Sequence, residues 1–161
     1  MKASLPIIFR MTVILLLALA CSASANLLRH TPLRLRGEWS KHVEQRALQA
    51  GLKLIGIGTI KQAVASGTTR VLDARPPADF RAGHLPAAQS LPFDLASELL
   101  TSMQIELQRE QLIITYCARN DCDEGLELAL FLRRTGYTNI TLFAGGLADW
   151  RASGGKVEVE R

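Results

Sequence analysis

Apolar and polar positions along the chain change period several times, and each change marks an element. The sharpest change lies within residues 111–134. Leu112-Ile113-Ile114-Thr115-Tyr116 is a short, continuous, β-prone run, which predicts a strand covered on both faces. Further on, Leu126, Leu128, Ala129, Leu130, Phe131 and Leu132 occupy a broad helical face. Asp123, Glu124, Glu127, Arg133 and Arg134 fall mainly opposite, so this segment is predicted to be an amphipathic helix. Between strand and helix lies the polar loop Cys117-Ala118-Arg119-Asn120-Asp121-Cys122.

The same alternation runs through the rest of the chain. Residues 38–50 predict a helix with Trp39, Val43, Ala47 and Leu48 near one face and Gly51 as its stop. Residues 52–57 predict a strand, and Thr59 an N-cap for a helix reaching Ser66. The strand through Val71-Leu72-Asp73 is halted by Pro76-Pro77. A short strand follows at residues 89–91. Residues 94–108 predict one helix with Leu95, Leu99, Leu100, Met103 and Leu107 turned inward. Gly136 stops the long helix, residues 139–143 form the last strand, and Gly145-Gly146 lead into a helix holding Trp150. The charged tail after Gly155 is expected to fray. Strands alternating with helices imply an α/β fold whose parallel sheet is covered on both faces.

The first 25 residues break this pattern. Lys2 and Arg10 precede and punctuate an apolar core, and Ala23-Ser24-Ala25 is an A-x-A cleavage site before Asn26. Three outcomes stay open: cleavage after Ala25, lipidation of Cys21 at Leu17-Ala18-Leu19-Ala20-Cys21, or an uncleaved anchor. Each places the folded part outside the cytoplasm, in the periplasm or cell envelope. Residues 26–37, broken by Pro32, read as a linker before the helix at 38–50, with the domain proper over 51–155 and a tail over 156–161. The chain has 161 residues, enough for one domain with an ordinary core.

Charge excludes one class of function. There are 19 Lys and Arg against 15 Asp and Glu; without Lys2 and Arg10 of the leader the balance is 17 to 15. That is too even for a nucleic-acid surface, and no basic stripe with interleaved aromatics occurs.

The candidate chemistry centres on Cys117. A cysteine at the carboxyl end of a parallel strand, with a loop leading into a helix, sits where backbone N–H groups converge and favour negative charge. A thiolate is stabilised there and becomes a nucleophile near neutral pH. The competing reading is a buried cysteine that only packs, the commonest fate of a free one; the strand-end position beside polar residues favours the nucleophile. His84 reads as a hydrogen-bonded core residue, because no Ser, Asp or second His is placed to complete a triad. His30 and His42 read as surface residues. Gly56-Ile57-Gly58 resembles the start of a dinucleotide fingerprint, but Lys61 stands where its third glycine belongs. C-x5-R phosphatase chemistry fails because position 123 is Asp. Cys117 and Cys122 also lack C-x2-C zinc spacing, so neither a metal nor a cofactor is called for.

Three segments together resemble the single-domain rhodaneses, a sulfurtransferase family. Val71-Leu72-Asp73-Ala74-Arg75 with Asp79-Phe80-Arg81-Ala82-Gly83-His84-Leu85-Pro86 is similar to the family's upstream signature. Tyr116-Cys117 and its loop resemble the active-site loop, and residues 142–150 (LFAGGLADW) the closing strand, double glycine and Trp-bearing helix. The resemblance implies a five-stranded parallel sheet flanked by helices, with Cys117 at the carboxyl ends of the strands as a persulfide carrier. It implies a substrate loop of Ala118, Arg119, Asn120, Asp121 and Cys122, and supporting roles for Asp73 and Arg75. Its partners would be a sulfur donor (persulfide, polysulfide or thiosulfate) and a thiol acceptor.

Cys122 adds a second course. In an oxidising compartment Cys117 and Cys122 can close a disulfide. Cys122 would then be a resolving cysteine that attacks a Cys117 persulfide and releases sulfide, with a disulfide reductase as a further partner. The alternatives are a Cys122 that only packs, a thiol–disulfide redox protein, and a non-catalytic binding module. Arg119 is the loop's one cation, while Asp121, Asp123 and Glu124 surround the helix start. Those acids are expected to cap the helix and to disfavour a dianion such as thiosulfate.

Overall fold

A computed structural model describes residues 7–27 and 39–160 of the chain, which divides into a unit of residues 1–37 and a unit of residues 38–161. The linker expectation and His30 fall largely or wholly outside the described residues, as does the side chain of Trp39. In the first unit, α1 (Ile7–Leu27) carries the apolar run of the amino-terminal segment. Its described side chains are exposed, and Cys21 is an exposed free thiol. Among the described residues no helix is long and apolar enough to cross a membrane.

The second unit is a five-stranded sheet in the order β1-β5-β4-β2-β3. Its strands are β1 (Lys53–Leu54), β2 (Arg70–Asp73), β3 (Gln89–Ser90), β4 (Ile113–Tyr116) and β5 (Ile140–Phe143), every pairing parallel. The central strand β4 is buried at all four positions, as the continuous apolar run requires. Its last residue, Tyr116, pairs with Asp73 of β2 and Phe143 of β5. One face carries Leu72, Ile113, Leu126, Leu128, Leu132 and Leu142; the other carries Ile60, Val71, Ile114, Tyr116, Phe143 and Trp150.

Helices α2 (Trp39–Gln49), α3 (Ile57–Ser66), α4 (Pro77–Ala82), α5 (Ala96–Thr101), α6 (Glu124–Arg134) and α7 (Gly146–Ala152) cover these faces. Val43 and Ala47 of α2 are buried in the first cluster. The helix expected to trail behind a linker is therefore built into the domain.

Four expectations are corrected. Helix α3 starts at Ile57 with Gly56 as N-cap, not at Thr59, because the extended Gly56 already supplies the carbonyl that accepts the Ile60 N–H. The single helix over 94–108 is instead a 3₁₀ turn (Phe93–Leu95) followed by the six-residue α5. Thr101 and Ser102 turn their hydroxyls back onto the carbonyls of Ser97 and Glu98, and Met103 takes φ 57°. Helix propagation stops there, leaving Met103 and Leu95 exposed rather than inward. Leu112 is likewise exposed and outside β4.

The tail does not fray. His84 and Glu158 exchange backbone hydrogen bonds of 2.9 and 3.0 Å, the Glu160 N–H reaches Arg81 O, and Trp150 Nε1–H donates to Lys156 O at 2.8 Å. A tail whose backbone donors are answered by the 81–84 bend is held whatever its side-chain charge.

Candidate active site

Cys117 follows β4 directly, at the carboxyl edge of the central strand, and is buried with 4% exposure. Two close approaches make room for its loop. Gly125, in the first turn of α6, stands so near that a Cβ would lie 3.0 Å from the Tyr116 carbonyl carbon and 3.2 Å from Cys117 N. Gly146, with φ +60°, is pressed against the loop; a Cβ there would overlap the Cys117 carbonyl oxygen and lie 2.9 Å from Arg119 N. The first turn of α7 is stitched to the loop by Leu147 N–H to Cys117 O at 3.0 Å and Ala148 N–H to Ala118 O at 2.9 Å. The two α6 and α7 starts thus hold Cys117 from both sides.

A buried polar network underlies it. Arg75 Nε donates to both Asp73 carboxylate oxygens, at 2.9 and 3.1 Å, and Nη2 donates to Oδ2 at 2.5 Å and to Gly83 O at 2.8 Å. The Tyr116 hydroxyl donates to Asp73 Oδ2 at 2.5 Å and accepts the Leu85 N–H at 3.1 Å. Burial, then the charge of Asp73, push the Tyr116 phenol well above the ordinary tyrosine range. Burial works to lower the Arg75 value, but the hydrogen bond and attraction of Asp73 outweigh it and hold it raised. Asp73, paired with Arg75, is thus tied to Tyr116, the residue just before Cys117.

The loop's charges are partitioned. Arg119 pairs with Asp121 at 2.5 Å on the surface. Arg46 of α2 holds Asp123 at 3.2 Å and Glu127 at 2.5 Å; the Glu127 hydrogen bond is the main cause that raises the Arg46 value. Asp123 is the N-cap residue of α6 yet makes no side-chain cap bond. The expected capping is replaced by this ion pair, because Arg46 lies within reach of the same carboxylate.

Glu124 turns the other way. Its Oε2 lies 2.7 Å from Cys122 Sγ and 3.3 Å from Cys117 Sγ. The two sulfurs are joined as a disulfide with Cα atoms 6.1 Å apart, inside the span such a bond bridges. Cys117, Cys122 and Glu124 form the one grouping of three potential metal ligands among the described residues. In this arrangement the two sulfurs are bonded to each other, with the Glu124 carboxylate beside them.

A cleft of about 520 Å³ is lined by Cys122 and Glu124, and Arg75, Arg119 and Arg151 contribute to its wall beside Asp121 and Asp123; Cys117 lies behind Cys122, buried. Clefts of similar size near Arg70 and near Gln89 contain no cysteine, so chemistry and not volume singles out this one. Asn120 is half-buried in the loop, and Ala118 and Arg119 are exposed. His84 is apart from the cleft's reacting atoms. Its Nδ1 lies 2.9 Å from Phe80 O, its ring stacks on Phe80, and Nε2 is 3.8 Å from Glu158. Arg46 and Arg151 were not legible as site residues, since nothing in local pattern marks a surface arginine. Tyr116 did carry a signal: it is the one hydroxyl-bearing aromatic at the end of an aliphatic strand.

The fold and site define a class: an α/β protein with a cysteine loop cradled at the carboxyl edge of a parallel sheet. The family model for the rhodanese-like domain matches residues 57–153, and the chain belongs to that family. It is 27% identical over 115 residues to a human thiosulfate:glutathione sulfurtransferase, a match covering 63% of this chain and 95% of that protein. Among solved structures, the rhodanese-3-like domain of the Anabaena Alr3790 protein is 29% identical with a TM-score of 0.50, covering 58% of this chain and 94% of that one. The BH2092 protein of Bacillus halodurans shares the fold with a TM-score of 0.61 at 24% identity, over 74% of this chain and 85% of that one.

Proposed function

We propose that this protein is an exported sulfurtransferase in which Cys117 carries sulfane sulfur as a persulfide and hands it to a thiol. The observation that carries this reading is the seat of Cys117, buried at the end of β4 between the first turns of α6 and α7. The start of α6 favours negative charge on a thiolate and on a persulfide's outer sulfur, and the Glu124 carboxylate oxygen, 3.3 Å from Cys117 Sγ, works against it. The Cys117 thiolate attacks the sulfane sulfur of a donor, the donor's S–S bond breaks, and the donor departs as a thiolate. An acceptor thiolate then takes the outer sulfur and returns Cys117.

The human relative's name couples thiosulfate with glutathione. A small thiol of that kind suits the cleft as acceptor. For the donor, Asp121, Asp123 and Glu124 around the mouth oppose a dianion, and two of the three nearby arginines are already paired. A persulfide or polysulfide is therefore the donor proposed over thiosulfate. The leader supports export to the periplasm or cell envelope, by cleavage before Asn26 or lipidation at Cys21; the mass of the mature amino terminus distinguishes them.

A second reading has its own support in the approach of Cys122 to Cys117. Here Cys122 resolves the persulfide, releasing sulfide and leaving a disulfide that a dithiol reductant reopens. Intact mass of the reduced protein, exposed in turn to thiosulfate and to polysulfide, tests both. A gain of one sulfur that vanishes in Cys117→Ser supports the carrier. Loss of two hydrogens, dependent on both cysteines, favours the resolving course. No change with either donor would defeat the sulfurtransferase reading.

A further inference from the structure

We infer that Glu124 is the acid–base residue of this site, moving the proton between the Cys122 thiol and the departing sulfide. The inference rests on the resolving reading of Cys122. One carboxylate oxygen touches both sulfurs, at 2.7 Å and 3.3 Å, so in the dithiol form each thiol can donate to it. The neighbouring acids are engaged otherwise: Asp121 by Arg119, Asp123 and Glu127 by Arg46. Glu124 makes no ion pair of this kind among the described residues. Being exposed, it also exchanges protons with water. A side chain at a helix start ordinarily turns back onto its own backbone N–H groups; this one is spent on the sulfurs.

The step balances. With Cys117 as Sγ–SH and Cys122 as a thiol, Glu124 takes the Cys122 proton. The Cys122 thiolate attacks Cys117 Sγ, the bond from Sγ to the outer sulfur breaks, and the Cys117–Cys122 bond forms. The outer sulfur leaves as hydrosulfide and collects the proton from Glu124 as hydrogen sulfide. The sulfane sulfur gains two electrons, and the cysteine pair loses two. Two thiols of a dithiol reductant then restore the pair. Proton delivery matters because the thiolate, not the thiol, attacks, and a free cysteine is mostly thiol below pH about 8.5.

The test is single-turnover hydrogen sulfide release from the full-length protein, loaded with polysulfide and freed of excess, across pH 6 to about 9.5, spanning the ordinary thiol value. Intact mass reports loading in each variant. For Glu124→Gln we expect release at pH 7 to slow about a hundred-fold, the lower end of what a positioned acid–base group contributes. The persulfide should accumulate, and the rate should recover at alkaline pH as Cys122 ionises unaided. A residue that only shapes the loop would leave the pH profile in place. Release in Glu124→Gln within about three-fold of the parent at pH 7, with Cys122→Ser silent, overturns the role of Glu124 alone. Release from Cys122→Ser at the parent rate removes the resolving reading, and this inference with it.

Discussion

The Tyr116 hydroxyl sits 2.5 Å from Asp73 Oδ2 and 3.1 Å from the Leu85 N–H, so the residue just before Cys117 is anchored to two other segments. Its phenol is pushed up by burial and by Asp73. A group whose value is raised in the folded state holds its proton there longer than in the unfolded chain. Its stabilisation is complete below the ordinary tyrosine value of about 10 and is lost as pH rises above it. Stability should therefore fall with rising pH beyond that point, and Tyr116→Phe should flatten this alkaline slope in denaturant titrations. At pH 7 the same variant leaves the Leu85 N–H without an acceptor, at a cost of about 1–3 kcal/mol.

Arg75 is the counterion beneath that contact. Asp73 is fully buried and the Arg75 side chain is 7% exposed. Arg75→Met leaves a buried carboxylate unpaired, and the expected loss of unfolding free energy is about 3–5 kcal/mol. Arg46→Met is the contrast: its pairs with Asp123 and Glu127 are partly exposed, so the loss should stay below about 1 kcal/mol. Urea unfolding of the two variants reads the difference directly.

Gly146→Ala should disturb the seat of Cys117. The position combines φ +60° with a methyl directed at the Cys117 carbonyl oxygen, so the loop must shift. Sulfur loading of Cys117, followed by intact mass, is expected to slow about ten-fold or more, as a displacement near 1 Å at reacting atoms costs that much or more. Gly58→Ala, where a Cβ meets nothing within 4 Å, should load normally.

Donor choice should follow loop charge. The doubly neutralised variant Asp121→Asn/Asp123→Asn removes two acids from the cleft wall and frees Arg119 from its ion pair, while Arg46 keeps Glu127. Loading from thiosulfate should rise several-fold relative to loading from a neutral persulfide donor. The gain should shrink with added salt, because exposed charges are screened beyond about 8–10 Å near physiological ionic strength.

What was legible in the chain was whatever depends on short-range pattern. The four buried positions of β4, the amphipathic α6 and the glycines at 145 and 146 announced a parallel sheet with Cys117 at a strand's carboxyl end. Burial imposes periodicity, and periodicity survives in one dimension. The errors came where local competition decided: the hydroxyls of Thr101 and Ser102 cut short a helix whose apolar spacing ran on past Met103. The charged tail looked unheld because its partners, Arg81 and His84, lie more than 70 residues earlier.

Tertiary structure alone decided how the charges around Cys117 are shared. Asp121, Asp123, Glu124 and Glu127 are the same kind of residue within seven positions, and nothing in their order says which one meets a sulfur. That depends on Arg46 arriving from α2 to take two of them and on Glu124 facing the 6.1 Å gap between the Cα atoms of Cys117 and Cys122. A thiol's reactivity follows the distances to nearby charges, and those distances exist only once distant segments have packed.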